Sequence, residues 1–196
     1  MTHIKVQVYN KSGNPLPKYE TANAAGMDLI ADVSGNDRIL IYPGKRCLIK
    51  TGLHVAIPEG FELQIRPRSG LALKKGITVL NTPGTIDSDY RGEIGVILYN
   101  TGDESVGIAN GERIAQAILT PVVSCMWSDV EHLEDLSKTD RGEGGFGSTG
   151  IDIKSKPIGE NNMNNPLTPL IIENPDMKLP LQDNTLKNNN GEPLTE

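Results

Sequence analysis

Residues 141–150 combine the residue types best suited to holding a phosphorylated ligand, in the order RGEGGFGSTG. Five of these ten residues are glycine, and glycine lets a loop bring its backbone N–H groups close to a ligand. The guanidinium of Arg141 and the hydroxyl of Ser148 suit phosphate, while Phe146 can stack on a flat ring. The stretch therefore indicates a nucleotide-binding loop, with phosphate at one end and a base covered at the other. A flexible solvated loop is the alternative on composition alone.

The spacing Gly142-x-Gly144-x-x-Gly147 also matches the dinucleotide fingerprint. That fingerprint requires a strand before it and a helix after it in a βαβ unit, whereas Pro157 soon follows and blocks a long helix. The chain also contains no Gly-Lys-Ser or Gly-Lys-Thr, which a P-loop requires. A Rossmann fold and a P-loop are therefore both rejected.

Two further clusters carry residue types that could do chemistry. Arg68, Ser69 and Gly70 lie where a predicted strand ends and a short helix begins, a place where a guanidinium, a hydroxyl and backbone N–H groups converge on an anion. Asp87 and Asp89 project to the same side of an extended chain, and paired carboxylates can divide acid and base roles. Taken alone, the first cluster is more simply an ordinary capped turn, and the second fits a solvated hairpin equally well.

Two polar residues stand inside apolar runs. Asp28 and Gln116 each have apolar neighbours along the chain, so each is either a satisfied core group or part of a site. The three histidines, by contrast, show no spacing typical of metal ligands.

The composition is typical of one domain with an appendage, since the chain has 196 residues of which 37% are hydrophobic. Its net charge of −6 argues against sequence-independent binding to DNA or RNA. No apolar run approaches about 18 residues, and the first residues lack an apolar signal core. Cys47 and Cys125 are isolated, which excludes a disulfide framework. We expect a cytoplasmic protein, or one of the host cytoplasm if it is viral, that binds neither membrane nor nucleic acid.

Residues 1–123 predict β structure, because apolar residues recur there at a period of two. In residues 61–66 apolar and polar residues alternate without interruption. Similar runs, separated by turns rich in Gly and Pro, occur at residues 4–8, 39–41, 48–49, 53–57, 77–80, 94–98 and 114–119. One short helix is predicted at residues 69–75, with Ser69 as its N-cap. Many short strands at this spacing favour a sandwich, a jelly roll or a barrel.

Residues 151–196 differ in composition from the rest of the chain, with no aromatic residue, six prolines and several asparagine clusters. Such a segment buries too little apolar surface to offset the entropy of ordering it. It is therefore predicted to be a disordered tail. Residues 167–172, LTPLII, are apolar enough to offer an alternative, in which they dock on this protein or on a partner.

Five short motifs, taken in order, resemble those of the trimeric dUTPase family. They are AGMDL at residues 25–29, RPRSGLA at 66–72, GTIDSDYRG at 84–92, GERIAQ at 111–116 and RGEGGFGSTG at 141–150. The resemblance covers residues 1–150. It implies an all-β jelly-roll or distorted β-barrel subunit with one short helix, and a homotrimer with shared active sites. It also implies hydrolysis of dUTP to dUMP and pyrophosphate, which limits uracil in DNA and supplies dUMP for dTMP synthesis.

The resemblance also implies roles for individual residues. Asp87 matches the acid that activates the attacking water, and Tyr90 matches the aromatic that packs on deoxyribose and excludes a 2′-hydroxyl. The implied metal is Mg²⁺, which Asp28 approaches through water. The implied uracil-reading positions, on a hairpin, are Asn81, Gly84, Thr85, Ile86 and Gly95. The phosphate-binding positions are Arg68, Ser69, Gly70 and Gln116, joined by Arg141, Gly147 and Ser148 of the arm, where Phe146 is the lid over uracil.

The chain is accordingly divided into a β domain at residues 1–140, a glycine-rich catalytic arm at 141–150 and the tail at 151–196. One alternative function is a dCTP deaminase, or a bifunctional deaminase–dUTPase, on the same fold. Those relatives carry a different serine-rich arginine motif and a catalytic glutamate, where this chain has RPRSGLA and DSDY. The other alternative is a dUTPase with an added regulatory binding role through its tail.

Overall fold

The chain forms short antiparallel strands from residue 7 to residue 121, with one helix among them. A computed structural model describes residues 3–148. The strands are β1 (Gln7–Asn10), β2 (Met27–Ile30), β3 (Arg38–Ile41), β4 (Arg46–Ala56), β5 (Phe61–Arg66), β6 (Ile77–Val79), β7 (Gly84–Ile86), β8 (Glu93–Asn100), β9 (Val106–Ala109) and β10 (Arg113–Pro121). The helix is α1 (Ser69–Lys75), and a single 3-10 turn covers Leu133–Asp135.

These strands form three antiparallel sheets. One four-stranded sheet has the order β1-β4-β8-β6, a second has the order β2-β10-β5-β7, and β3 pairs with β9. The prediction of an all-β subunit with one short helix is confirmed. No helix within residues 3–148 has the length and apolarity needed to cross a bilayer.

Alternating side chains of these strands build the apolar core. β8 alternates strictly between half-buried and buried residues, with Ile94, Val96 and Leu98 pointing inward. In β5, Leu63 and Ile65 are buried, and Gln64 between them is half-buried. Because successive side chains of a strand point to opposite faces, the period of two seen in the sequence translates directly into this core.

β4 is one strand of 11 residues, where the sequence shows two separate apolar runs. Gly52 interrupts the alternation, with a φ of 70° and a shift of register between Lys50 and His54. A Cβ atom on Gly52 would lie 2.8 Å from the backbone nitrogen of Ser12, so the bulge requires glycine both for its conformation and for its close contact.

Three short strands were not predicted from the sequence: β2, β7 and β9. Each has only three or four residues. The helix at residues 69–75 is confirmed, but Ser69 as its N-cap is wrong. Arg68 is the N-cap, without a side-chain cap, because its extended backbone already presents its carbonyl to the N–H groups of Leu71 and Ala72.

The described residues fall into two units, residues 3–129 and residues 130–148. The strands and α1 all belong to the first unit, and the described part of the arm, residues 141–148, belongs to the second. The predicted disordered tail at residues 151–196 lies outside the described residues, and the boundaries expected at 140 and 150 stay predictions.

Candidate active site

A charged cluster in the first unit joins β2, β10 and the end of β5; we call Asp28, Arg68, Arg113 and Gln116 the Asp28–Arg68 cluster. Gln116 of β10 stands opposite both Asp28 of β2 and Arg66 of β5. Arg68 Nε lies 2.9 Å from Asp28 Oδ1, and Arg113 Nε lies 3.7 Å from Asp28 Oδ2. The pairing of three strands distant in sequence therefore creates the cluster.

Two hydrogen bonds to backbone carbonyls fix the same side chains. Arg68 Nη1 donates to the carbonyl of Arg113 at 3.1 Å, and Gln116 Nε2 donates to that of Pro67 at 2.9 Å. Asp28 is thus ion-paired with two arginines in the folded chain. A guanidinium has five N–H donors in a planar fork, and these contacts engage only two of those of Arg68. The remaining N–H groups of the half-buried Arg68 side chain are suited to bind an anionic oxygen.

No role was predicted for Arg113 from the sequence. Its position in GERIAQ was visible, but its approach to Asp28 depends on the β2–β10 register. Ser69 and Gly70 lie exposed in the first turn of α1, next to this cluster in the chain.

The predicted uracil-reading residues fall on two different sheets. β7, which contains Gly84 and Ile86, pairs with β5, whereas Gly95 lies in β8 opposite Lys50 of β4. The expected hairpin between residues 84–86 and Gly95 is therefore not formed in this chain. The reason is that β6 already occupies the adjacent edge of β8, so β7 pairs with the free edge of β5 instead.

Asn81 and Gly84 nevertheless lie in contact. A Cβ atom on Gly84 would be 3.3 Å from Asn81 Nδ2 and 3.3 Å from the Cβ of Ile65. The backbone N–H of Leu80 donates to the carbonyl of Ile97, which carries the β6–β8 pairing up to Asn81. Absence of a side chain at Gly84 thus lets the Asn81 amide and the start of β7 pack closely.

The loop of residues 87–92, between β7 and β8, contains Asp87, the candidate general base. The Asp87 side chain is exposed, and its backbone carbonyl accepts a hydrogen bond from the N–H of Tyr90 at 3.2 Å. The Tyr90 ring lies on Gly92, where any Cβ would collide with it. Tyr90 Oη donates to the carbonyl of Glu93 at 3.1 Å. The ring is therefore seated on the backbone of its own loop.

Asp87 and the Asp28–Arg68 cluster lie at opposite ends of the β5–β7 pair. Leu63 stands opposite Ile86, and Ile65 stands opposite Gly84. At about 3.3 Å per residue, Leu63 is roughly 10 Å from the end of β5 at Arg66, and Arg68 lies beyond that end. The fold of one chain therefore separates Asp87, the candidate general base, from the candidate phosphate-binding residues.

Glu93, the first residue of β8, follows this loop and is half-buried. Glu93 Oε2 lies 2.8 Å from Lys11 Nζ, and Glu93 Oε1 accepts a hydrogen bond from the backbone N–H of Gly52 at 3.0 Å. Burial raises the pKa of Glu93, but the hydrogen bonds from Lys11 and Gly52 outweigh it, so the pKa lies below its usual value. The same hydrogen bond raises the pKa of Lys11.

We expect Glu93→Gln to lower the midpoint of thermal unfolding near neutral pH, and to lower it progressively less as the pH falls below 4.5. The pKa of Glu93 is lowered in the folded state, so its charge stabilises the fold above the usual pKa of 4.5, and this stabilisation is lost as the pH falls through the folded pKa. Thermal denaturation of both proteins across this range measures the difference. A difference that does not shrink in acid would contradict the prediction.

The described part of the arm, residues 141–148, belongs to the second unit. Arg141 Nε donates to the carbonyl of Gly144 at 2.7 Å, and the N–H of Ser148 donates to the carbonyl of Gly145 at 2.9 Å. Phe146 is fully exposed and has a φ of 47°, a conformation that costs energy for an aromatic residue. Gly147 has a φ of 89°. The described part of the arm thus presents its aromatic ring to solvent.

The chain belongs to the dUTPase family, whose family model matches residues 3–150. It is 54% identical over 145 residues to the deoxyuridine 5′-triphosphate nucleotidohydrolase of Brucella melitensis, a match that covers 74% of this chain and 90% of that one. Among solved structures, Staphylococcus bacteriophage 80alpha dUTPase with dUPNHPP has a TM-score of 0.66 at 27% identity, covering 75% of this chain and 99% of that chain. A mutant dUTPase from phage phi11 of S. aureus, described with a structural Mg(II) ion, has a TM-score of 0.59 at 22% identity, covering 67% and 99%.

These similarities confirm the family and the fold class predicted from the five motifs. The tail at residues 151–196 lies outside the family match. The roles of individual site residues are not tested by them and stay predictions.

Proposed function

We propose that this protein hydrolyses dUTP to dUMP and pyrophosphate, with a water activated by Asp87 attacking the α-phosphate. The observation that carries the proposal is the Asp28–Arg68 cluster, in which Arg68 and Gln116 are held at one edge of a chain of the dUTPase family. Named relatives in that family are deoxyuridine 5′-triphosphate nucleotidohydrolases, which favours this reaction over deamination of dCTP.

Arg68 is the principal phosphate binder in this proposal. Its ion pair with Asp28 and its bond to the carbonyl of Arg113 orient the guanidinium fork, so little side-chain entropy is lost when phosphate oxygens bind. Ser69 and Gly70 add a hydroxyl and backbone N–H groups next to it in the chain. Gln116, tied to the carbonyl of Pro67, completes the phosphate-binding set.

The base is read by Asn81 together with backbone groups of Gly84, Thr85, Ile86 and Gly95. Fixed backbone groups in a tight pocket leave no room for the methyl group of thymine. They reject cytosine because its hydrogen-bonding edge would leave buried polar groups of the pocket unpaired. Such unpaired groups discriminate more strongly than steric exclusion of a methyl group does. Tyr90 packs on the sugar in the same proposal and leaves no space for a 2′-hydroxyl.

The described residues fit Mg²⁺ that arrives on the substrate. No group of three His, Cys, Asp or Glu side chains within residues 3–148 forms a metal cage, and Asp28 is already paired with two arginines. Mg²⁺ usually keeps several waters and binds triphosphate oxygens directly, so Asp28 would reach it through water. When bound, Mg²⁺ neutralises phosphate charge, which lets an anionic group approach the α-phosphate.

The separation of Asp87 from the Asp28–Arg68 cluster supports a homotrimer with shared sites. Asp87 and the Asp28–Arg68 cluster lie at opposite ends of the β5–β7 pair. One chain alone therefore does not bring the proposed general base and the phosphate-binding residues together. A neighbouring subunit would supply the missing half. We also place the protein in a reducing compartment such as the cytoplasm, since both Cys47 and Cys125 are free thiols.

The arm is proposed to close over bound substrate. Arg141, Gly147 and Ser148 would contact the γ-phosphate, and Phe146 would cover uracil. The exposed ring and the positive φ of Gly147 agree with a segment that orders around a ligand and then releases product.

The proposed function is tested by incubating the purified protein with Mg²⁺ and each deoxynucleoside triphosphate while pyrophosphate and ammonia are measured. We expect pyrophosphate from dUTP alone. Release of ammonia from dCTP would favour the deaminase alternative, and turnover of all substrates would contradict the proposed base recognition.

Truncation after Gly150 is expected to preserve fold stability and dUTP hydrolysis within a few-fold. The removed residues carry no aromatic side chain and are rich in Asn and Pro, so they contribute little burial. Hydrogen exchange of the full chain gives a second measurement. Strong amide protection at residues 167–172, with a large loss of activity on truncation, would instead show that the tail docks.

A further inference from the structure

A three-part contact around Glu93, which we call the Glu93 anchor, lies just outside the GTIDSDYRG motif. It consists of the Glu93 carboxylate, the backbone N–H of Gly52 and the ammonium of Lys11. The three residues come from β8, from the bulge in β4 and from the segment after β1. The proposed reaction assigns them no role.

The bulge explains why a carboxylate is needed there. The register of β4 and β8 shifts between Lys50 and His54, so the N–H of Gly52 is not part of the regular ladder. A backbone donor left without a partner costs free energy when it is shielded from water. Glu93 Oε1 accepts this hydrogen bond at 3.0 Å, and Lys11 balances the charge at 2.8 Å.

The backbone of Glu93 connects this anchor to the sugar-binding aromatic. The Glu93 carbonyl accepts the hydrogen bond from Tyr90 Oη at 3.1 Å, while its carboxylate is held by Gly52 and Lys11. Carbonyl and carboxylate belong to one residue, so fixing the side chain also restrains the acceptor that Tyr90 uses.

A second contact restrains the backbone on the other side of Gly92, beneath the Tyr90 ring. His54 Nδ1 lies 2.9 Å from the carbonyl of Arg91, which requires a proton on Nδ1. Arg91 and Glu93 flank Gly92, on which the Tyr90 ring lies. The backbone beneath the Tyr90 ring, residues 91–93, therefore contacts β4 on both sides of Gly92.

We infer that Glu93 is a positioning residue for Tyr90 and, through it, for the discrimination of deoxyribose from ribose. The inference rests on the proposed dUTP hydrolysis and on the proposed contact of Tyr90 with the sugar. Exclusion of a 2′-hydroxyl depends on how closely the ring approaches the sugar, and a misplacement of about 1 Å is enough to change rates strongly. Loss of the anchor would let the ring shift and admit UTP.

The test compares kcat/KM for dUTP and for UTP in the full-length protein with Mg²⁺. Glu93→Ala removes both contacts and is expected to lower the preference for dUTP by about fivefold to tenfold, the size of one hydrogen bond's net contribution. Glu93→Gln keeps an acceptor for Gly52 and is expected to stay within about twofold of wild type. Glu93→Asp, whose carboxylate is too short to hold both contacts, is expected to fall between them and covers the case in which Glu93→Ala does not fold.

A double-mutant cycle isolates the route through Tyr90. In a Tyr90→Phe background the hydroxyl that binds the Glu93 carbonyl is absent, so Glu93→Ala is expected to cause no further loss of preference. Asn110→Ala is the stability control, because it removes a different hydrogen bond, the one its Oδ1 accepts from Val33 at 3.0 Å. It is expected to keep the wild-type preference.

The outcomes separate the two proposals. A wild-type protein that releases no pyrophosphate from dUTP overturns the proposed function itself. Wild-type turnover of dUTP with an unchanged preference in Glu93→Ala and Glu93→Asp overturns only the role of Glu93. An equal loss of preference in Asn110→Ala also overturns it, since general destabilisation would then explain the effect.

Discussion

Asp87→Asn is expected to abolish dUTP turnover while leaving dUTP binding nearly intact. The amide has the shape of the carboxylate but cannot take a proton from water, and loss of a general base typically costs about 10²–10⁴-fold in rate. The loop should keep its form, because the hydrogen bond from Tyr90 reaches the backbone carbonyl of Asp87 rather than its side chain. Pyrophosphate release measures the rate, and calorimetry with a non-hydrolysable dUTP analogue measures binding.

Asp89→Asn provides a matched control for this substitution. It removes the same charge from the same exposed loop, two residues along the chain, and is expected to retain most of the activity. If Asp87→Asn kept half of the wild-type rate, Asp87 would not be the base. If both variants lost activity equally, the net charge of the loop, rather than a base at Asp87, would be responsible.

Deletion of residues 141–196 is expected to leave a folded protein that binds dUTP weakly and turns it over slowly. The buried apolar residues described in the core all lie between Leu29 and Ala117, so the deletion removes none of them. It does remove the proposed γ-phosphate contacts and the lid over uracil. Circular dichroism measures folding, and steady-state kinetics with dUTP measure the loss of activity.

The truncation after Gly150 is the control for this deletion, since the two proteins differ only in residues 141–150. Phe146→Ala tests the lid alone and should weaken substrate capture by roughly 1–3 kcal/mol, as base stacking does elsewhere. Leu136→Ala removes another exposed apolar side chain of the same unit and should have no such effect. Unchanged kinetics in both the deletion and Phe146→Ala would refute closure of the arm.

The sequence by itself determined the class of fold and the family. In β5 the alternation of apolar and polar residues follows from the geometry of a strand with one buried face, so it can be recognised without coordinates. The arm was equally legible, because five glycines in ten residues cannot support a packed core. Five ordered motifs then identified the family, which the match over residues 3–150 confirms.

Only the tertiary structure decided which of these elements meet. β7 pairs with β5 rather than with β8, because β6 already occupies that edge, and a run of three residues carries no signal of its partner. The ion pair of Asp28 with Arg68 and the contact of Glu93 with Gly52 join residues 40 and 41 positions apart. Local sequence fixes the period of a strand, but which strands pair and in what register depends on the burial of the whole chain, so those contacts had to come from the fold.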